Sequence, residues 1–497
     1  MSTRRAPEGR PIAPRQRSLI FAACMMATFM AAVESTIVAT AMPTIVADLG
    51  EFRLFTWVFG AYLLTQAVSV PIYGRLADLY GRKRIFFAGA GLFLVGSTLC
   101  GFARGMLTLI LFRAVQGVGA GAVQPLAYTI VGDIYTPTER ARLQGLLSGV
   151  FGVAAVVGPS LGAFLVQEAS WPVVFWVNLP IGAAAIAMIA LFLHEEPRTR
   201  RHRIDYQGSL LLLLGGGLVM TALVGAASFG RATVALFAGG GAVALALLLW
   251  HERRVPEPML PLALWRNRVV ALGSLGGFTI GAIMIGVAGF LPTYVQGVMG
   301  RSAGTAGAAL GAMSVSWAVA SVAAGRVMIR TSFRLTAIIG SLTLIIGSAA
   351  LIAMSPRSGP LWAGMGALLI GIGMGFCNTT YLVSVQASVE MRERGAATAS
   401  SMFMRLVGQA GGAALFGAVL NAGMAGQVPH ADVAVERLME PALRESLGAA
   451  EVARLSAAMA GALAHVYFIS TALGLLALGL AAALPARLSP TRTAGRS

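Results

Sequence analysis

Apolar runs of membrane-spanning length recur along nearly the whole chain, separated by short charged or Pro- and Gly-rich breaks. A helix of about 20 apolar residues crosses the roughly 30 Å hydrocarbon core of a bilayer. Only 11% of the 497 residues are charged, whereas soluble domains average about a quarter. The sequence therefore predicts an all-α polytopic membrane protein embedded in a lipid bilayer. Fourteen spans are predicted, at residues 18–42, 55–74, 85–103, 106–131, 142–166, 173–193, 207–228, 231–250, 269–292, 303–326, 334–354, 360–384, 395–420 and 462–484.

The positions of the basic residues support this count. If the N-terminus is cytoplasmic, 27 of the 37 Arg and Lys lie in inner segments and eight in outer ones, while Arg113 and Arg405 lie within spans. Basic residues accumulate on the cytoplasmic side, so one missed or extra span would invert the bias downstream. We therefore expect both termini to be cytoplasmic, in the cytoplasmic (inner) membrane of a bacterium. The net charge of +17 then reflects topology, and no nucleic-acid partner is predicted.

The spans group into two halves. Spans 5 and 13 share a similar pattern of small residues, which suggests an internal repeat of six helices. Spans 7 and 8 would then be inserted between the two six-helix bundles. The predicted organisation is a basic cytoplasmic tail at 1–17, a first bundle at 18–194, a linker with spans 7 and 8 at 195–268, a second bundle at 269–484 with a long outer loop at 421–461 that includes amphipathic helix, and a cytoplasmic tail at 485–497.

Several classes of function lack the sequence features they need. The three cysteines, Cys24, Cys100 and Cys377, lie far apart in apolar runs, so we expect free thiols, no metal and no cofactor. The sequence contains no phosphate-binding G-x-x-x-x-G-K-[ST] loop for an ATP-driven pump. The five His lie in loops and near span ends, which does not favour an enzyme, and few charges are available for a channel filter.

The segment GRLADLYGRKR at 74–84 is a basic turn between spans 2 and 3. Asp78 lies four residues from both Gly74 and Arg82, so the three would share one helix face. The string resembles the loop between helices 2 and 3 of the major facilitator superfamily. That resemblance implies a conformational switch in which Asp78 contacts the start of a helix in the second half, here near Gly395.

Asp133, at the inner end of span 4, is expected to join this switch by pairing with Arg75 or Arg82. The predicted switch residues are Gly74, Asp78, Gly81, Arg82, Lys83 and Asp133.

Glu34 is the one carboxylate well inside a span. Burying a charge there is costly, so the side chain is expected to face a cavity or a partner. Arg113 lies at a similar depth in span 4, roughly 10–12 Å below the outer surface, so the two can meet; the alternative is that Arg113 snorkels to the outer interface. The contexts VESTIVATAMPTI and RAVQGVGAG resemble motifs of the superfamily's fourteen-helix drug:proton antiporter branch. The resemblance implies that Glu34 and Arg113 couple transport to protons.

Span 5 contains the string GVFGVAAVVGPSLG. Glycine allows close helix packing, and proline lets a helix bend. The string resembles a fifth-helix motif associated with export antiporters, which implies export as the direction of transport. Its motif residues are Gly149, Gly158, Pro159 and Gly162.

The predicted function is proton-coupled multidrug efflux, the export of hydrophobic, often cationic, drugs or toxic compounds by alternating access. The alternatives are export of one endogenous amphiphile (a lipid, siderophore or metabolite) and a transporter-like sensor without turnover. The proton gradient supplies the energy, the partners are protons and a small hydrophobic or amphiphilic substrate, and the chain is expected to be a monomer. Candidate substrate-cavity residues are Tyr62, Gln66, Gln124, Tyr294, Gln296, Trp317, Asn378, Phe403 and Arg405.

Overall fold

The computed structural model describes residues 13–50, 54–195, 205–224, 229–255, 262–355, 358–426, 438, 444 and 446–486. Within these residues the regular structure is helical throughout. The helices are α1 (Pro14–Leu49), α2 (Phe55–Tyr80), α3 (Arg82–Gly101), α4 (Met106–Ile134), α5 (Pro137–Glu168), α6 (Val173–Trp176), α7 (Asn178–Phe192), α8 (Tyr206–Val224), α9 (Arg231–Glu252), α10 (Leu262–Arg266), α11 (Arg268–Thr293), α12 (Ala303–Arg330), α13 (Phe333–Ile352), α14 (Gly359–Ala387), α15 (Arg394–Ala425) and α16 (Ala449–Ala483). A π-helical turn at Tyr294–Val298 extends α11, and a 3₁₀ turn at Met391–Glu393 precedes α15.

These segments are helical because hydrocarbon offers no hydrogen-bond partners to the backbone. A helix pairs its N–H and C=O groups within the segment, and where proline or glycine disturbs that pairing, neighbouring helices and Ser or Thr side chains can satisfy the freed groups. Pro71, Pro125 and Pro292 accordingly lie inside α2, α4 and α11. Outside the apolar runs, ordinary capping takes over: α5 begins with a capping box between Thr136 and Glu139.

Twelve of the described helical segments are long and apolar enough to cross a membrane. Helices α2 and α5 coincide with predicted spans 2 and 5 and are 26 and 32 residues long, but they are not among these twelve. The last helix is longer than the predicted span: α16 begins at Ala449, within the predicted outer loop at 421–461, whereas the predicted span covers 462–484. The reason is the Ala-rich segment before 462, which has a high helix propensity and extends the apolar helix.

Parts of the predicted linker, outer loop and tails lie outside the described residues. These are 196–204, 225–228 and 256–261 of the linker, 427–437, 439–443 and 445 of the outer loop, and 1–12 and 487–497 of the tails.

Two groups of helices have their own apolar cores. In the first, α1–α7 enclose clusters around Phe93, Val123 and Phe175. In the second, α11–α16 enclose a cluster around Ile283, Leu344 and Met374. The groups meet where α2 packs on α15 and where α5 packs on α12. Helices α8 and α9 pack on each other, and α8 also contacts both α2 and α15, so it lies across the seam between the groups.

Candidate functional site

A buried ion pair lies inside the first group of helices. Glu34 on α1 and Arg113 on α4 are 0% and 1% exposed, and Arg113 Nη1 donates a hydrogen bond to Glu34 Oε1. The same guanidinium donates to Gln116 Oε1 at 2.8 Å and to the Val58 carbonyl at 3.2 Å. Its Cζ lies 4.1 Å from the centre of the Tyr62 ring. Arg113 is thus held in the interior and does not snorkel to an interface.

Three uncharged side chains complete this network. Asn178 on α7 donates to Glu34 Oε2 and, at 3.1 Å, to Ser97 Oγ on α3. Gln116 Nε2 donates to the same Ser97 hydroxyl at 3.1 Å. These three were not among the site residues predicted from the sequence. Gln116 carried a signal, because it lies three residues after Arg113 in the same motif, whereas Ser97 and Asn178 lie on other helices.

A second charge network joins the two groups at the predicted cytoplasmic end. Asp78, near the end of α2, is 4% exposed. Its Oδ1 accepts from the Gly395 N–H at 3.0 Å, and its Oδ2 accepts from the Ala396 N–H at 2.7 Å. Both N–H groups lie in the first turn of α15, which begins at Arg394, and the N–H groups of a first turn have no partner within the helix. The contact that the resemblance implied for Asp78 is therefore present.

Two arginines extend this network across the seam. Arg82 donates to Asp78 Oδ1 at 2.9 Å and to the Met391 carbonyl at 2.6 Å, and its Nε lies 2.9 Å from Asp133 Oδ2. Arg394 of α15 also pairs with Asp133. From the sequence, Arg75 or Arg82 was predicted as the partner of Asp133. The structure gives Arg82, and adds Arg394, which was missed because it lies more than 250 residues away in the chain.

The remaining switch residues shape the turn. Gly81 has φ 98°, a conformation that a residue with a Cβ rarely adopts. The N–H groups of Arg82 and Lys83 that follow it each donate to the Glu195 carboxylate at 2.9 Å, and Lys83 Nζ donates to the Ala190 carbonyl at 2.7 Å. Gly74 lies directly against α15, because a Cβ there would clash with the side chain of Ala399.

The glycines of the fifth-helix motif lie against α1 and α12. A Cβ at Gly158 or Gly162 would clash with the hydroxyl of Thr36 or Thr40 on α1. Gly149 lies against Ala318 of α12 on the other side of the seam. The side chain of Pro159 lies outside the described part of the structure. Helix α5 therefore contacts both groups through small residues, which leaves little space between the helix backbones.

The predicted substrate-cavity residues do not form one site. Asn378 and Arg405 line a small cavity between the groups, whereas Tyr62 belongs to the Glu34 network and Tyr294 donates to the Met354 carbonyl at 2.9 Å within the second core. Trp317 stacks on Phe151 between α12 and α5, with ring centres 6.4 Å apart. The others are Gln66 on α2, Gln124 on α4, Phe403 on α15 and Gln296 in the turn after α11.

A larger apolar pocket was not predicted from the sequence. Its volume is about 360 Å³, and it lies between α2, α8, α11 and α15. Leu63, Met220, Ile285 and Leu406 are among its walls, with Gln409 as one of its few polar groups. Hydropathy shows only that these residues belong to predicted spans. The pocket itself depends on the packing of α8 against the seam between the two groups of helices. Within the described residues, no three His, Cys, Asp or Glu side chains are grouped to hold a metal ion.

Comparison with known sequences gives consistent matches. Residues 24–413 match the family model of the Major Facilitator Superfamily. The chain is 35% identical to multidrug resistance protein 3 of Bacillus subtilis (strain 168) over 398 residues, covering 80% of this chain and 78% of the relative. It is also 35% identical to the multidrug transporter protein MdtP of the same organism over 414 residues, 82% of this chain and 76% of the relative. An MFS-type efflux pump, LUC4, of Fusarium sp is 31% identical over 438 residues, 84% and 76% of the two chains.

Solved structures share the architecture at much lower identity. The proton:xylose symporter XylE bound to 6-bromo-6-deoxy-D-glucose superposes with a TM-score of 0.62 at 13% identity, covering 93% of this chain and 94% of that one. The human organic anion transporter MFSD10 superposes with a TM-score of 0.60 at 16% identity, covering 94% and 100%. At these identities the likeness establishes the fold alone.

Proposed function

The chain belongs to the Major Facilitator Superfamily, and from that premise we propose that it exports hydrophobic compounds, drugs among them, in exchange for protons. Its relatives are transporters and not enzymes. The names of the bacterial and fungal relatives refer to multidrug resistance, multidrug transport and efflux. These names support a range of exported compounds over a single endogenous amphiphile, and active transport over a sensor.

The observation that carries proton coupling is the buried Glu34–Arg113 pair. The pair and the side chains of its hydrogen-bond network lie on α1, α3, α4 and α7. A change in the charge of Glu34 therefore alters contacts between all four helices. Ionised Glu34 accepts hydrogen bonds from Arg113 and Asn178, whereas a protonated Glu34 would lose the ion pair. The two protonation states therefore favour different helix arrangements, which is the requirement for exchanging a proton against a substrate.

Alternating access requires two seals of which only one is closed at a time. The network of Asp78, Arg82, Asp133 and Arg394 supports a closed seal at the predicted cytoplasmic end. All its bonds between α2 or α4 and α15 must break before that end can open. We infer that this network is the switch and that its closed form belongs to the outward-facing part of the cycle.

The finer membrane arrangement is part of the proposal. Adding α2 and α5 to the twelve apolar segments gives fourteen spans. Helices α8 and α9 would be the inserted pair between a bundle at 18–194 and a bundle at 269–484. The exposed apolar side chains of α9, such as Leu236 at 71% and Val243 at 61%, support contact with lipid. The charge bias supports cytoplasmic termini in a bacterial inner membrane.

The test is transport by the purified chain in liposomes with an acidic lumen. A panel of fluorescent hydrophobic dyes of fixed positive or negative charge is added outside, and accumulation is followed by fluorescence. We expect accumulation of at least one dye that stops when an ionophore collapses the pH gradient. Liposomes with the Glu34→Gln variant and liposomes without protein are the controls. Accumulation that persists without a pH gradient in the wild type would exclude proton coupling.

A further inference from the structure

The two arginines buried within spans differ in their partners. Arg113 pairs with Glu34, as described above. Arg405 on α15 is only 9% exposed, yet among the described residues no side chain or carbonyl accepts a hydrogen bond from it and no carboxylate pairs with it. A buried cation without a counter-charge is costly, so such a residue marks a place where an anion binds.

Arg405 lies near the middle of the predicted bilayer. It is 11 residues from the start of α15 at Arg394, which corresponds to about 16 Å along the helix and therefore to about half of a 30 Å core. Its cavity lies on the seam: Tyr128 comes from α4 in the first group, and Asn378 comes from α14 in the second. Substrate sites of transporters of this kind of architecture lie near the midplane between the two halves.

The chemistry of this cavity favours a negative group. Its lining contains hydroxyl, amide and aromatic side chains and no Asp or Glu. A cationic compound would be repelled by Arg405 and would find no carboxylate there. A guanidinium binds a carboxylate, sulfonate or phosphate through two parallel charge-assisted hydrogen bonds, and Tyr128 and Asn378 can supply further polar contacts.

A second pocket lined by α15, which is apolar, suggests what the rest of the ligand is. Gln409 follows Arg405 by one helical turn, so the two lie on the same side of α15. Gln409 is on the wall of the pocket of about 360 Å³ between α2, α8, α11 and α15. That volume is in the range of sites for small organic molecules. A molecule with an anionic group at Arg405 could therefore place an apolar body against this pocket.

We propose that Arg405 binds the anionic group of an amphiphilic organic substrate whose apolar part occupies this pocket. The proposal rests on the transport function proposed above and names the substrate class. It replaces the expectation of cationic compounds, which came from the resemblance to drug antiporters, with organic anions.

Binding of two matched dyes tests this directly. 1-Anilinonaphthalene-8-sulfonate and N-phenyl-1-naphthylamine share their rings, and only the first carries a sulfonate. Each is titrated onto the full-length protein in nanodiscs of zwitterionic lipid, with empty nanodiscs subtracted. The variants are Arg405→Gln, Arg405→Lys and, as a matched control, Arg330→Gln, which removes an exposed basic charge at the end of α12.

We expect the sulfonate dye to bind Arg405→Gln at least tenfold more weakly than wild type, with Arg405→Lys between them and Arg330→Gln unchanged. Binding of the neutral dye should be the same in all four proteins. Equal sulfonate binding in wild type and Arg405→Gln would overturn the proposal, as would equal loss of both dyes. If Arg405→Gln does not fold, competition on the wild type tests the anion site. Naphthalene-1-sulfonate should displace the sulfonate dye and naphthalene should not; displacement by both alike would overturn the proposal.

Two further measurements are needed. One distinguishes a lipid from an organic substrate as the source of the anion, and the other distinguishes failure of the anion site from failure of proton-coupled export. If adding phosphatidylglycerol to the nanodisc weakens sulfonate binding only when Arg405 is present, the site binds anions but its occupant is a lipid headgroup, which overturns the proposal of an organic substrate. The binding is measured without a pH gradient. A wild type that binds the sulfonate through Arg405 but shows no gradient-driven accumulation would therefore refute proton-coupled export and leave the anion site standing.

Discussion

Replacing Asp78 with Asn should open the predicted cytoplasmic seal. Asp78 accepts two N–H bonds from the start of α15, at 3.0 and 2.7 Å. Asn has one acceptor oxygen, so one bond is lost and an NH₂ group faces an N–H. A hydrogen bond to a charged group contributes about 1.5–3 kcal/mol, and every 1.4 kcal/mol changes an equilibrium about tenfold. The Asp78–Arg82 pair lies within one group of helices and remains available in both states, so the cross-seam bonds decide the shift. The closed population should fall by a factor of roughly 10–150 relative to the open one.

The assay is a distance distribution between spin labels on the two groups at that end. Cysteines for labelling replace Arg84 and Thr331, both exposed, in a background without the three native cysteines. The matched control is Glu390→Gln, which removes an exposed carboxylate whose partner is the exposed Arg392 and should change little. A longer distance in Asp78→Asn than in wild type and Glu390→Gln is expected, together with slower transport. An unchanged distribution with transport lost would refute the seal.

Three further predictions address coupling, packing and topology. Glu34→Gln mimics the protonated acid and should reduce gradient-driven transport to background while the protein is still produced in the membrane; full uphill transport would contradict the role of Glu34. Gly74→Val should also shift the spin-label distance towards the open form, because a side chain there collides with α15, whereas Gly91→Val, which points into open space, should not; a closed Gly74→Val protein would show that this contact is not needed. Cysteines at Ser446 and Thr199 should react with an impermeant reagent from opposite faces of the membrane, and labelling of both from one face would exclude the proposed topology.

Properties that depend on local sequence could be predicted without a structure. Hydropathy and helix propensity are sums over neighbouring residues, so the helical spans and their approximate ends follow from runs of about 20 apolar residues. The charge bias is likewise a count along the chain. The motif around Asp78 predicted a carboxylate at the end of α2. Counting residues from the span ends predicted that Glu34 and Arg113 lie at similar depth. The start of α16 at Ala449 could not be read from span length, because its apolar, Ala-rich helix continues past the length that a bilayer requires.

Only the tertiary structure decided which buried charges have partners. Arg113 and Arg405 look alike in sequence, each a single arginine in an apolar helix. Arg113 meets Glu34 because α1 and α4 pack within one bundle, whereas Arg405 faces a cavity whose walls come from α4, α11, α14 and its own helix and include no carboxylate. The partner of Asp133 also depended on the tertiary structure, because Arg394 lies on α15 in the second group of helices. A charge in a membrane is stabilised by whatever lies within a few ångströms of it, and in this chain those neighbours are supplied by helices distant in sequence.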